Sequence, residues 1–432
     1  MKYEKTEGHE NYCCTVINLP PKQKVEGLDN LVKVTVFGND CLVGKDSNEQ
    51  EKYLFFPCES RIDNYFLSQN NLFRDSTLNK DNTKKGFFET SGRVKAVKFK
   101  GVVSTGFVIP LSSLDNCGST FSSHIFQVGD EFNKIDDFAF CMKYVIKSYQ
   151  GASQKKERGN KEFDKLVPNQ FRFHETTTQL AKNLDKFHVN DLIVITDKWH
   201  GTSAVFANVL IKKPLSWKEK LVKFLGVEVI DKQYDILYAS RTVIKNQYIN
   251  AGVTAGYYNE DIWAVVRDEI KDKIEPGITI YGEIVGYLQS GKHIQKGYDY
   301  GCVHGEHKLV VYRITYTKPD GNVIEYSWLQ IKDYCRKYQL EHVKELFFGT
   351  IREFVDDWGE ETFLDWLSTT YLEKDCKYCV NKVPAEGICV RIDGRDNYST
   401  YKLKSKRFLE RETKELDSGE ANIEEEQSLA AQ

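Results

Sequence analysis

Along the first third of the chain, apolar and polar residues alternate in short runs, the two-residue period of half-buried strands. Leu31-Val32-Lys33-Val34-Thr35-Val36-Phe37 alternates and then meets Gly38-Asn39-Asp40, a turn signal. Residues 93–100 alternate in two halves, with a slip between Ala96 and Val97 that a bulge would absorb. Phe107-Val108-Ile109 reads as a strand closed by Pro110. These strands and their Gly- and Asn-rich turns predict a small barrel or sandwich. The polar, glycine-flanked run 151–160 reads as a linker. Beyond it, residues 180–187 suit a short helix before the apolar strand Leu192-Ile193-Val194-Ile195, and 331–348 and 351–367 carry helical spacing. Strands and helices mix without a βαβ rhythm, so the class expected is α+β rather than a doubly wound sheet. From Glu410 onward the chain is charged and poor in large apolar residues, which predicts a frayed helix running into disorder.

A length of 432 residues exceeds what one core usually serves and implies two domains. The expected division is 1–150, a linker at 151–165, a second domain at 166–410 and an acidic, disordered tail at 411–432. No apolar run is long enough to span a bilayer, and Met1-Lys2-Tyr3-Glu4-Lys5 lacks the apolar core of a secretory signal. With eleven scattered cysteines, this points to reduced thiols, a cytoplasmic setting and no membrane partner. The net charge of −3 argues at first against nucleic acid. Its distribution reverses that: 411–432 holds two basic and seven acidic side chains, while 71–110 holds eight basic and three acidic ones. Arg93, Lys95, Lys98 and Lys100 become candidate nucleic-acid contacts, the alternative being a solvated strand face.

The chemistry concentrates in Thr196-Asp197-Lys198-Trp199-His200-Gly201-Thr202-Ser203. A lysine delivered by an apolar strand into a glycine-containing turn loses its proton more easily and can act as a nucleophile. Alone, the same pattern describes an ordinary lysine at a strand end. Four further pieces follow in order: Ser240-Arg241, Tyr281-Gly282-Glu283-Ile284-Val285-Gly286, Glu386-Gly387-Ile388-Cys389-Val390-Arg391, and Tyr401-Lys402-Leu403-Lys404. Strand alternation sets Lys402 and Lys404 on one face. Two lysines and an arginine can neutralise charge building on a phosphate, and two carboxylates can orient a ribose and hold Mg²⁺.

This ordered set resembles the covalent nucleotidyltransferases, the ATP-dependent ligases and GTP-dependent capping enzymes, over roughly 171–407. The resemblance implies that Lys198 carries AMP, that Gly201 lets the backbone approach the nucleotide, and that Ser203 and Arg241 lie near its sugar and the accepting strand end. It further implies that Glu283 contacts the ribose, Tyr312 stacks on adenine, Glu386 binds the metal (Glu283 being a second candidate ligand), and Lys402 and Lys404 bind the AMP phosphate. Arg313 stands where many relatives have Asp, which leaves Tyr312 open to a plain core reading.

His200 in Lys-x-His-Gly-Thr is similar to the RNA ligases. Only 28 residues follow Lys404, where DNA ligases and capping enzymes place an OB fold. Residues 92–111 and 171–180 resemble the N-terminal OB domain and the lead-in of Deinococcus-type RNA ligases. The expectation is therefore an OB-like β-barrel followed by an adenylyltransferase domain of antiparallel sheets flanked by helices. Its cofactors would be ATP and Mg²⁺ or Mn²⁺, and its partner RNA with 3′-hydroxyl and 5′-phosphate ends, bridged in a duplex. No protein partner is implied, and the oligomeric state stays open, a monomer included. A DNA ligase, a capping enzyme and an inactive RNA-binding relative are the alternatives. Gly286-Tyr287-Leu288-Gln289-Ser290-Gly291-Lys292-His293 nearly spells a P-loop but has His293 where Ser or Thr belongs. Cys376 and Cys379 sit at zinc spacing, which Cys302, His304 and His307 would have to complete. Trp263, Trp328, Trp358 and Trp366 read as core.

Overall fold

Val32, Val34 and Val36 are buried and their neighbours are not, so the alternation of Leu31–Val36 becomes one face of a hairpin with Asn39–Gly44. The computed structural model describes residues 2–6, 9–146, 165–241, 243–245, 260–353 and 359–419. The linker at 151–160 and Trp358 lie outside them.

In the N-terminal unit the hairpin packs on an antiparallel sheet ordered Glu131–Phe132, Cys14–Asn18, Lys52–Pro57, Gly106–Pro110. The other face of that sheet carries an aromatic core that includes Phe56, Phe66, Phe132 and Phe140. Among the described residues these strands form an open sheet with small hairpins around it, not a closed barrel.

The basic stretch departs from expectation. Val97–Phe99 pairs with Val102–Ser104 around Lys100 and Gly101, both at positive φ, so it forms a separate exposed hairpin and not the second half of a bulged strand. Lys98 and Lys100 stand on its surface. Arg93 is only 4% exposed: it donates to Glu59 at 2.7 and 2.9 Å, to Asp417 at 3.1 Å and to the Thr413 carbonyl at 3.1 Å. Lys95 is held by Glu89 and Asp417 at 2.6 and 2.9 Å. The nucleic-acid role expected of Arg93 is therefore withdrawn, because its guanidinium is used up inside the protein.

The second unit is α+β, built on two sheets. One runs Ile244–Lys245, Lys232–Ala239, Thr202–Lys212, Ile278–Gly286, His307–Thr317, Val323–Glu325, with Glu341–His342 added beside His307–Thr317. The other runs Thr178–Gln179, Thr400–Lys404, Gly387–Ile392, Leu192–Lys198, Glu345–Thr350. Helices Ile262–Ile270 and Trp328–Tyr338 carry buried residues into the first sheet's core, Trp263 and Trp328 among them, and Trp366 packs on the second core. The helix expected over 331–348 stops at Tyr338, where Gln339 adopts a left-handed conformation, and Glu345–Thr350 becomes an edge strand beside Leu192–Lys198. The near-P-loop is a tight turn closed by Tyr287 pairing with His293.

The C-terminal helix Lys406–Asp417 starts at a Ser405 cap and buries Phe408, Thr413 and Leu416, so it is docked where a frayed end was expected. Thr413 Oγ1 donates to Glu59 at 2.8 Å and accepts from the Ala96 amide at 3.0 Å, while Lys406 reaches Asp40 at 2.6 Å. This helix thus joins the two units. Removing one partner of a buried ion pair strands the other charge, so Arg93→Ala should cost about 3 kcal/mol in denaturant unfolding. Unchanged stability with weakened RNA binding would return Arg93 to the surface role.

Candidate active site

Lys198 ends its strand at the point where the chain changes sheets. Leu192–Lys198 belongs to the five-stranded sheet and Thr202–Lys212 to the other, so Trp199, His200 and Gly201 form the crossing. A Cβ on Gly201 would lie 2.5 Å from the Ile284 carbonyl, so only glycine lets this turn press against Ile278–Gly286. Trp199 stacks on Tyr300 at 4.4 Å and on Tyr378 at 5.0 Å, and the His200 amide donates to the Tyr300 hydroxyl at 2.6 Å. The turn is held on several sides.

Strand register assembles the charges. Lys198 pairs with Gly387, which pairs in turn with Lys404, while Cys389 pairs with Lys402. Glu386 therefore enters beside Lys198 and Lys404. Gly387 has φ 149° and a Cβ there would meet the Leu403 carbonyl at 2.1 Å, so a side chain would push these strands apart. Glu386 Oε1 lies 2.9 Å from Lys198 Nζ and 3.8 Å from Lys404 Nζ, and His200 Nδ1 is 3.9 Å from Oε2. In the other sheet Ser203 pairs with Glu283, and its hydroxyl donates to the Glu283 carboxylate at 3.1 Å.

Lys198, Gly201, Ser203, Arg241, Glu283, Tyr312, Glu386, Lys402 and Lys404 all line one cavity. Arg93, Lys95, Lys98 and Lys100 do not. Tyr312 is half-buried with its hydroxyl 2.8 Å from His174 Nδ1, so it presents a ring to the cavity. Arg313 turns away from it, sandwiched between the rings of Tyr281 and Tyr398 and forked onto Glu325.

Burial dominates the electrostatics, and neighbouring charges decide its outcome. It pushes the Glu386 carboxyl up, but Lys198, Lys404 and His200 outweigh it and leave the pKa below the ordinary value. It pulls the Lys198 ammonium down, yet Glu386 above all holds that pKa above its usual range. Lys404 is raised in the same way by Glu412 and Glu386. For Lys402, burial and the cations Lys404, Lys198 and Arg241 act together and drive its pKa well below the ordinary value. Among the described residues no carboxylate pairs with Lys402, and a half-buried lysine surrounded by other cations favours an anion. Glu386 Oε2 is buried with no hydrogen-bond partner among the described residues, and hard carboxylate oxygens of this kind suit Mg²⁺ or Mn²⁺.

Several lining residues escaped the sequence reading. Tyr12 and Lys143 come from the N-terminal unit, and nothing in their local sequence marks them. Glu412, read as tail, reaches Lys404 at 3.2 Å. His174 lay within the lead-in segment without a role. Cys376 and Cys379 share a turn, with the Cys376 thiol pulled down to about 7 by its hydrogen bond with Cys379. Among the described residues, however, no three His, Cys, Asp or Glu groups are arranged to hold a metal, so the completion by Cys302, His304 and His307 that a zinc site would need is not formed.

Solved structures similar to this one include RNA ligase mutants from Naegleria gruberi. One with AMP and Mn aligns at TM-score 0.55 and 13% identity over 92% of this chain and 98% of that one. An apo form gives 0.56 and 13% over 94% and 99%, and one with ATP and Mn gives 0.57 and 12% over 92% and 98%. At such identity these likenesses speak for the fold. No curated protein matches the sequence significantly. The family model for RNA ligases matches residues 191–406, half of the chain and every motif strand around the cavity. The chain belongs to the RNA ligase family.

Proposed function

We propose that this protein is an ATP-dependent ligase that seals 3′-hydroxyl and 5′-phosphate RNA ends, with nicks in duplex RNA or an RNA–DNA hybrid as substrate. The observation that carries the reading is Lys198 held at 2.9 Å from Glu386 in a cavity shared with Lys402, Lys404 and Arg241. Lys198, once neutral, attacks the α-phosphate of ATP: an N–P bond forms and the P–O bond to pyrophosphate breaks. Lys402 and Lys404 meet the charge that builds on the phosphate oxygens. AMP then passes to the RNA 5′-phosphate, and the 3′-hydroxyl attacks that adenylate and expels AMP. Tyr312 would stack on adenine, Glu283 would hold the ribose, and Ser203 and Arg241 would lie near the sugar and the accepting end. A divalent cation on Glu386 and Glu283 would draw charge from the phosphate and loosen the carboxylate's hold on the Lys198 proton.

The N-terminal unit is proposed to serve as an OB-type RNA-binding domain, with Lys98 and Lys100 as its exposed cations. All eleven cysteines are free thiols, which accords with a cytoplasmic setting.

Incubation with α-labelled ATP and a divalent cation should label the wild type, and neither Lys198→Ala nor GTP should support labelling. Label from GTP would move the protein to the capping branch, and sealing that survives Lys198→Ala with ATP as sole donor would sink the reading. RNA and DNA nicks compared side by side test strand choice.

Because Glu386 raises the Lys198 pKa, the neutral amine grows scarcer as pH falls. Single-turnover enzyme–AMP formation should therefore climb with pH, by up to about tenfold per unit. Glu386→Gln removes the charge that favours the ammonium, so its weaker residual activity should follow a profile moved to lower pH. A flat wild-type profile would contradict this.

Glu412 positions Lys404 and rides on the helix that docks the N-terminal unit. Glu412→Gln should slow enzyme–AMP formation roughly tenfold to a hundredfold while the protein remains folded by circular dichroism. An unchanged rate would leave Glu412 a bystander.

A further inference from the structure

At its far end the strand Thr202–Lys212 leads into the helix Trp217–Phe224 and returns along Lys232–Ala239, with Lys212 paired to Lys232. The apex lies nine residues of strand from Ser203, roughly 30 Å from the cavity. The helix is amphipathic but faces the wrong way for a core. Trp217, Leu221, Phe224 and Leu225 share one face by helical spacing and all are exposed, Trp217 at 71% and Phe224 at 87%. Val227 and Ile230 continue the patch, Ile230 at 79% exposure. The polar side is the tethered one: Glu219 pairs with Lys213 at 2.9 Å, and Lys223 pairs with Asp231 at 2.7 Å. A capping box at Ser216 and Glu219 fixes the first turn. Ion pairs therefore hold the apolar face outward.

We propose that this apex is an interfacial anchor that lays Trp217, Leu221, Phe224, Leu225 and Ile230 into the headgroup region of an anionic lipid bilayer. Charge complementarity selects this occupant. Residues 212–232 carry six lysines against three carboxylates, interleaved with aliphatic and aromatic groups on a protruding tip, the composition of helices that lie in a membrane interface. A second copy would set two positively charged tips against each other. RNA would meet the lysines but leave Leu221, Leu225 and Ile230 without apolar partners. An eight-residue helix is too short to span a bilayer, so the contact is peripheral. The sequence-based expectation of no membrane partner rested on the lack of a spanning run and does not bear on such a contact.

The test is co-sedimentation of the full-length protein with vesicles of phosphatidylcholine alone or mixed with phosphatidylserine. Wild type should bind the anionic vesicles about tenfold or more tightly than the neutral ones. The combined Trp217→Ser, Leu221→Ser, Phe224→Ser variant should lose about tenfold in vesicle affinity and keep wild-type enzyme–AMP formation, which also reports that it is folded. Three outcomes would overturn the proposal: no vesicle binding by wild type, equal vesicle binding by the variant, or a wild-type dimer in analytical ultracentrifugation that the variant converts to monomer. The last would assign the face to a second copy. A fall in duplex-RNA affinity confined to the variant, without vesicle binding by wild type, would assign it to RNA.

Discussion

Glu386 is a buried carboxylate with Lys198 and Lys404 against one oxygen and His200 near the other. Buried alone, it would take up a proton, because a low-dielectric interior penalises the charged form. It stays ionised because three adjacent strands deliver its partners at matching heights: Lys198, Gly387 and Lys404 stand side by side in the ladder. The same pair sets the state of Lys198, since the carboxylate charge of Glu386 keeps that ammonium protonated. The two groups thus lock each other in their charged forms.

The rest of the architecture holds this arrangement in place. The turn 199–201 passes the chain from one sheet to the other, and the stacking of Trp199 on Tyr300 and Tyr378 keeps it from swinging. The C-terminal helix carries Glu412 to Lys404 on one side and Thr413 and Asp417 to Glu59 and Arg93 on the other. One helix therefore links the N-terminal unit to a cation of the cavity. Tyr12 and Lys143 add a direct route, since both line the cavity from the N-terminal side.

Most of the misreadings in the sequence share one cause: local pattern does not report what a side chain meets at long range. Arg93 sits in a run of alternating cations and looks solvated, yet its partners Glu59 and Asp417 are 34 and 324 residues away in sequence. Glu412 and Thr413 lie in a charged stretch that reads as tail until the docked helix is seen. The run 331–348 has helical spacing throughout, but an open edge beside Leu192–Lys198 recruited its last residues into the strand Glu345–Thr350. The helix Trp217–Phe224 was not read from the sequence, and periodicity could not in any case have said which side of it faces water.

What the sequence determined by itself is which charged motif residues line the cavity, and their order along the chain. Lys198, Arg241, Glu283, Glu386, Lys402 and Lys404 each border or occupy a strand, and a strand's two-residue period already sets Lys402 and Lys404 on one face. Gly201 was likewise legible as a place where a bare backbone allows close approach, whereas the tight fit at Gly387 emerged only from the fold. Tertiary structure alone decided the electrostatic state of those groups, the residues that Tyr12, Lys143 and Glu412 add, and the use of Arg93 as a clamp. The reason is physical: strand period and turn chemistry act over a few residues, whereas burial and charge pairing depend on which distant segments the fold brings within a few ångströms.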